Sequence, residues 1–507
     1  MSKVQIPRLQ FPKIIKDPIL DYVPLTDLEY RILQLPVFNR LHDLKQTSMA
    51  YLVFPGAVTT RFQHSIGAMH LASQMVYQIL QSMEEETFQE LFPAARNESQ
   101  KLAIVQSVRI AALLHDLGHG PLSHATEGVM LAILKRDYGP EFTRASKLFG
   151  GTGGSSFPAH EYFSYMLILK SETNELISKY SPKFGEPAPS SMNVSDIANL
   201  IAKVANPKLE LFSPAGFRIL RQIISSQLDA DRMDYLVRDG YMTGVSYGLV
   251  DVNRVIMHLA VKKDRTGRYE LTIHERALGS IEDVLDARFK MYKWVYSHHL
   301  VASANELLKQ AITYLIDNGK LTKADFHWQR FADGYSTDSN IMNTLIDELR
   351  TAITSYKGLV DRRYLPVSLL KRPNDHIDFQ KEIMHAAGRS MTDEAVRQKL
   401  KRWFDDLSDE AMKRKIDGQE VDIFGIPVAR SPYSPLREGD TVWIYSEREP
   451  KMSELSHFSE YFRGINDEWT HFPSYFISYA TPTKTREKAK GLWKQVRQEL
   501  IADIASR

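Results

Sequence analysis

Cysteine is absent from all 507 residues. That excludes disulfides, thiolate metal ligands and a cysteine nucleophile, and it fits a reducing compartment. Long apolar runs are also missing: none approaches the roughly 18 residues a membrane span needs, so no membrane partner is expected. Met1–Phe11 carries no apolar stretch of the secretory type, and a cytoplasmic setting is expected. Net charge is nearly absent as well, +2 from 64 basic and 62 acidic residues. No bulk field therefore favours nucleic acid or acidic membranes, and any anion site must be local. Nucleic acid stays open as a partner only through the basic stretch from Lys484 to Arg497. We find no internal repeat and no heptad array.

The chain does contain a dense polar motif. His115-Asp116-Leu117-Gly118-His119-Gly120-Pro121-Leu122-Ser123-His124 places three histidines and a carboxylate in ten residues, directly after the apolar run Ile110–Leu114. Burying adjacent ionisable groups is costly unless something pairs them, and a metal cation is the usual partner. With no thiolate available, further ligands must be imidazoles or carboxylates from elsewhere in the chain. The apolar periodicity predicts a helix over 98–117, broken by Gly118, Gly120 and Pro121. His119 then shares a face with His115 if the helix continues for one more turn.

In order, 13–24 reads as a strand or hairpin, and 25–45 as helical with a break at Pro36. A helix is expected from Arg61 to Leu80, with His64 in its first turn. A lone histidine there serves equally as a polar helix end or as a ligand. Residues 125–148 read as helical. Gly150–Ser156 reads as a flexible insertion in preference to a lid, and 181–191 as a proline-rich loop. A helix reaching Leu169 begins near His160, and another spans 217–228. It leads into Asp229–Asp239, whose four carboxylates by themselves suggest only a salt-bridged helix face. A short helix and hairpin follow over 251–275, then one long helix over 277–317. The tail mixes helices (340–352, 392–406, 483 onward) with strands (421–428, 441–445). Length and pattern suggest two domains, 1–318 and a 319–507 region serving oligomerisation or regulation. The expected fold is mainly α, a helical core with a smaller α+β C-terminal region.

The order His64, then His115-Asp116, then Asp231 resembles the HD superfamily of metal-dependent phosphohydrolases. Arg61–Ser65, His115–His124 and Asp231–Asp239 are similar to the matching blocks of its dNTP triphosphohydrolases, both the dGTPase branch and the vertebrate branch that joins a SAM to an HD domain. The resemblance covers roughly Lys13 to Asn340 and implies an HD-domain core. It implies one divalent metal (Fe, Mn, Ni, Zn or Mg) held by His64, His115, Asp116 and Asp231, with Mg accompanying the nucleotide. It makes His119, His124, Glu127 and His160 the catalytic group, with Glu127 orienting His124 from three residues away. Arg61, Arg232 and Arg288 match phosphate-contacting positions. Gln46, Tyr235, Asp239 and Tyr296 match deoxyribose-contacting ones, while Thr47 replaces an apolar residue. The implied reaction is hydrolysis of a dNTP to deoxynucleoside and tripolyphosphate.

Lys13 and Arg254 match basic positions near a nucleotide-activator pocket. Gln34, Asn39 and His42 depart from that pocket, so altered base preference or loss of its function is expected. A homo-oligomer (dimer, tetramer or hexamer) is implied, with a role in dNTP-pool control or antiphage defence. The alternatives are another HD hydrolase (nucleotidase, phosphodiesterase or nuclease) or a non-catalytic nucleotide sensor.

Overall fold

In the computed structural model, the described residues are 3–149, 157–180 and 192–350, except 203, 205, 206 and 211. Beyond 350 they are mainly 366–370, 373–386, 412–427, 441–447, 452–464, 475–480 and 490–506. The two loops read at 150–156 and 181–191, and most of the helix read at 392–406, lie outside the described residues.

The fold is mainly helical. A hairpin of β1 (Lys13–Asp17) and β2 (Asp21–Leu25) precedes α1 (Asp27–Leu33). Pro36 starts a new short turn of helix, where its missing N–H costs nothing. Next come α2 (Arg61–Ser82) and α3 (Glu98–Leu114), each opened by a capping box. Thr60 and Gln63 bond reciprocally on α2, and Asn97 and Gln100 do so on α3, satisfying orphan N–H groups. Every residue of α3 from Ala103 to Leu114 is buried. A helix that is apolar all round belongs in a core, and each fully buried Ile, Leu or Val there is worth roughly 1.5–3 kcal/mol. Around this pair lie α4 (Glu127–Asp137), α5 (Ala159–Lys170) and α6 (Ala230–Thr243). A buried, bidentate Arg109–Glu29 pair, at 2.6 and 2.7 Å, ties α3 to α1.

Two expectations need correction. The helix over 98–117 ends at Leu114, because Leu117 N–H folds back to the Leu114 carbonyl in a turn. His115 is therefore the C-cap, and His119 lies beyond the helix. The single helix over 277–317 is interrupted. It comprises α7 (Leu278–Met291), a π-turn over Tyr292–Tyr296 closed by Ser297 N–H to the Tyr292 carbonyl at 2.9 Å, and α8 (His299–Asp317). Such insertions recur at functional sites because they re-aim side chains.

Between α6 and α7, β3 (Leu259–Lys263) and β4 (Tyr269–His274) form a hairpin. After α9 (Asp338–Leu349) comes β5 (Val367–Leu370), then β6 (Met412–Ile416), β7 (Gln419–Pro427), β8 (Trp443–Tyr445), β9 (Ser453–Glu454) and β10 (Tyr475–Ala480), with α10 (Trp493–Ser506) last. One sheet has the order β5-β10-β7-β6 and covers a second, smaller core with α10. The other, β3-β4-β8-β9, pairs β4 parallel with β8, so the tail is stitched into the helical body.

Candidate active site

Three helix ends meet at one point. His64 sits in the first turn of α2, His115 at the end of α3 and Asp231 in the first turn of α6. His64 Nε2 lies 3.3 Å from His115 Nε2, 3.5 Å from Asp116 Oδ2 and 3.0 Å from Asp231 Oδ1. His115 Nε2 is 3.4 Å from Asp116 Oδ1 and 3.6 Å from Asp231 Oδ1. The side chains of His64, His115 and Asp116 are at most 10% exposed, whereas Asp231 keeps 34% open toward solvent.

The outer bonds determine which nitrogens face inward. His64 Nδ1 meets Asp234 Oδ2 at 2.9 Å, and His115 Nδ1 donates to the Ala112 carbonyl at 2.7 Å. Both imidazoles thereby turn Nε2 to the shared point, where a bound cation would displace its proton and take the lone pair, the usual arrangement of metal-binding histidine. Asp234 is in turn gripped by Arg238 through two 2.8 Å bonds, and Arg238 reaches Asp17 at the end of β1, also at 2.8 Å. Gly67 makes room for this chain, since a Cβ there would fall 1.9 Å from Asp234 Oδ1. Burial disfavours a charged His64, yet bonds to Asp231 and Asp234 and the charge on Asp116 push it up to about 10. Asp231 is also buried in part, but hydrogen bonds from His115 and His64 hold it well below the usual carboxylate range. Two inward nitrogens and two ionised carboxylates are a fitting donor set for a divalent cation.

Asp116 links this group to a second one. His119 Nε2 is 3.3 Å from Asp116 Oδ1, and the His119 ring stacks on His160 at 4.1 Å. The His119 and His124 rings lie 4.8 Å apart, edge to face. Glu127 accepts from the His160 backbone N–H at 3.1 Å and meets His160 Nδ1 at 3.0 Å. The structure thus corrects the expected pairing. Glu127 orients His160, because His124 lies on a separate 3-10 turn, Ser123–Thr126, instead of the helix that Glu127 begins. Desolvation by the surrounding protein, then Arg61 and His160, lower His124 to about 4 although it stays open to solvent, and drive the buried His119 well below its ordinary value.

The loop carrying these histidines is clamped from three sides. Ser164 Oγ accepts from Gly118 N–H at 2.8 Å and donates to the His115 carbonyl at 2.7 Å. Arg40 donates to the Leu117 and His119 carbonyls at 2.6 and 2.7 Å, with its guanidinium over Phe331. Asp338, 1% exposed, accepts the Leu122 amide at 2.6 Å and the Lys45 amide at 3.0 Å. It holds Leu122 and Ser123, which sit at φ 62° and 52°, a conformation that costs most residues energy.

The three arginines surround the site, engaged by protein partners. Arg61 pairs with Asp116 and donates to Ser123 Oγ at 2.9 Å. Arg232 pairs with Asp229, the N-cap of α6, and Arg288 donates to Gln227 at 2.7 Å. Gln46, His124, Tyr235, Asp239 and Tyr296 border one cavity of about 320 Å3. Tyr296 O–H donates to Asp239 there at 2.8 Å, and burial raises Asp239 to about 6. Lys13, over the Tyr30 ring, and Arg254, bonded to the Arg276 carbonyl, are exposed positions on β1 and on the short helix Val252–Met257.

Asp17, Arg40, Asp234, Arg238 and Asp338 carry no signal as isolated residues in the sequence. Only the four-residue spacing of Asp234 and Arg238, apt for an ion pair on one helix face, offers a hint.

Comparison with known proteins fits this geometry. A family described as the HD associated region matches residues 250–414. An uncharacterized protein of Bacillus subtilis (strain 168) is 32% identical over 336 residues, 65% of this chain and 63% of its own length. The deoxynucleoside triphosphate triphosphohydrolase SAMHD1 of Gallus gallus is 24% identical over 389 residues, 74% of this chain and 55% of its own. The chain therefore spans little more than half the length of these curated relatives. A crystal structure of a hypothetical protein from Aquifex aeolicus shares the fold, with a TM-score of 0.60 at 22% identity over 96% of this chain and 99% of that one.

Proposed function

Because this chain is a homologue of HD-domain proteins that include dNTP triphosphohydrolases, we propose that it is a metal-dependent phosphohydrolase that cleaves a dNTP to deoxynucleoside and tripolyphosphate. The observation that carries this reading is the shared Asp116. It joins a donor set of His64, His115, Asp116 and Asp231 to a second histidine group, and His124 of that group borders a cavity with no lysine or arginine among its lining residues. A divalent cation bound by the first group supplies Lewis acidity toward water and phosphate oxygens.

The chain's own residues do the rest. The tyrosine-bordered cavity holds the nucleoside, with Gln46, Tyr235, Asp239 and Tyr296 around the sugar. Arg61, Arg232 and Arg288 exchange protein partners for phosphate oxygens, which Arg can grip two at a time. His124 is neutral near pH 7, so it accepts the proton of the attacking water and returns it to O5′. The new bond is water oxygen to α-phosphorus, and the bond broken is α-phosphorus to O5′. His160, charged against Glu127, holds the stacked His119 in place.

The test is a set of separate metal-supplemented assays on the four dNTPs with products identified. Deoxynucleoside plus tripolyphosphate is expected. Orthophosphate released from a dNMP, with the dNTPs untouched, would replace this reading by a nucleotidase.

A further inference from the structure

Among the described residues, no lysine or arginine borders the cavity beside His124. At about 320 Å3 it falls within the usual range for a small-molecule pocket. Tyr235, Tyr292 and Tyr296 line it, and the π-turn brings the last two together with ring centroids 5.3 Å apart. Aromatic walls without lysine or arginine suit a nucleobase, whose faces stack regardless of its identity. Base identity must then be read at an edge. Ala50 and Val301 pack against each other at one part of the wall, and Asn305 follows Val301 by one turn of α8. Asn305 is thus a polar group set beside an apolar surface.

Its chemistry is fixed from behind. Asn305 Oδ1 accepts the Met49 backbone N–H at 3.3 Å. A backbone N–H only donates, so this bond fixes the amide with its oxygen toward Met49 and leaves the NH2 group for a ligand. We propose that Asn305 reads the base edge, a fixed donor that selects bases with a keto oxygen at purine C6 or pyrimidine C4 (guanine, thymine) over those with an amine at that position (adenine, cytosine). A donor facing an amine leaves two buried donors without an acceptor, which discriminates more strongly than a merely absent contact. The inference rests on the nucleotide-hydrolase reading above.

The experiment measures kcat/KM for dGTP, dTTP, dATP and dCTP with the metal-loaded full chain, its Asn305→Asp variant and its Asn305→Leu variant. Metal content and thermal unfolding establish that each variant is folded and loaded. The wild type is expected to favour dGTP and dTTP by about tenfold or more. Asn305→Asp, whose second oxygen accepts where the amide donated, shifts preference toward dATP and dCTP. Asn305→Leu levels the four. If all four are cleaved with no keto-over-amine difference, or if Asn305→Leu keeps the wild-type ranking, the base-edge assignment falls and the hydrolase reading stands. If no dNTP is cleaved by the wild type, both fall.

Discussion

The two groups that meet at Asp116 are both built from imidazoles and carboxylates, yet their histidines respond differently: His64 and His115 of the first, like His160 of the second, are raised, whereas His119 and His124 are lowered. Around His64 and His115 stand three carboxylates, Asp116, Asp231 and Asp234, and their attraction overcomes burial, so both histidines hold protons more tightly than usual. In the second group Glu127 spends both oxygens on His160, and Asp116, shared with the first group, is also held by Arg61, so less negative charge reaches His119 and His124. Desolvation and the Arg61 cation then leave His119 and His124 neutral. The placement of the carboxylates and of Arg61, not their number, separates histidines that hold a proton from those that offer a free lone pair for proton transfer. Desolvation opposes the charged form in both; the neighbours decide the outcome.

Removing a donor from the first group should have the largest effect. Asp231→Ala is expected to lose bound metal and to lower turnover by roughly a thousandfold or more; elemental analysis beside the dNTP assay checks both. Should metal stay at wild-type stoichiometry with full turnover, the convergence on His64 Nε2 has another meaning. His124→Ala breaks only the second group. Metal content should hold while kcat falls by about 10²–10⁴-fold, the typical worth of a proton-transfer residue. Loss of metal in that variant would erase the distinction between the groups.

Asp234→Asn sharpens the comparison by altering one outer partner. Metal affinity should drop by about 10–100-fold, read by competition with a chelator, because His64 is held less firmly in the required tautomer. Unchanged affinity would detach the Asp17–Arg238–Asp234 chain from the metal group.

Asp239 provides the smallest effect and a test of burial with few countering charges. Its carboxyl sits at about 6 in the folded protein, against about 3.9 when unfolded. The folded state thus favours the neutral form. That contribution is complete below about pH 4 and is lost as pH rises through 6, leaving a penalty on the order of 3 kcal/mol at pH 8. Asp239→Asn removes the penalty and should raise Tm over the wild type by clearly more at pH 8 than at pH 4.5, where only about a third of it has developed. Equal differences at both pH values would contradict the assignment.

Much of this was legible beforehand. The chain brings together His64, His115, Asp116 and Asp231 from distant segments, a meeting that the residues singly left open and that the family resemblance of their order implied. Hairpin, central helices and mixed tail were readable because apolar periodicity and breakers such as Pro36 act locally. Helix ends were read less well. The end at Leu114 and the π-turn at Tyr292 depend on tertiary contacts, Ser164 against Gly118 among them. Glu127 was matched to His124 by spacing along one helix, whereas a partner from α5 claimed it. Arg40 and Asp338 left no trace, since nothing in a sequence announces that a remote side chain will hold a loop.

That remoteness has an outcome for how the molecule comes into being. Asp338 follows the Leu122 amide by 216 positions and the Lys45 amide by 293. A nascent chain lacking α9 already contains each of the four proposed metal donors, with Arg40 and Ser164 to clamp part of the 117–124 loop, but it lacks the carboxylate that holds Leu122 and Ser123 in their unfavourable shape. Competence would arrive late in synthesis, in one step, sparing the cell a half-built hydrolase loose among its nucleotides.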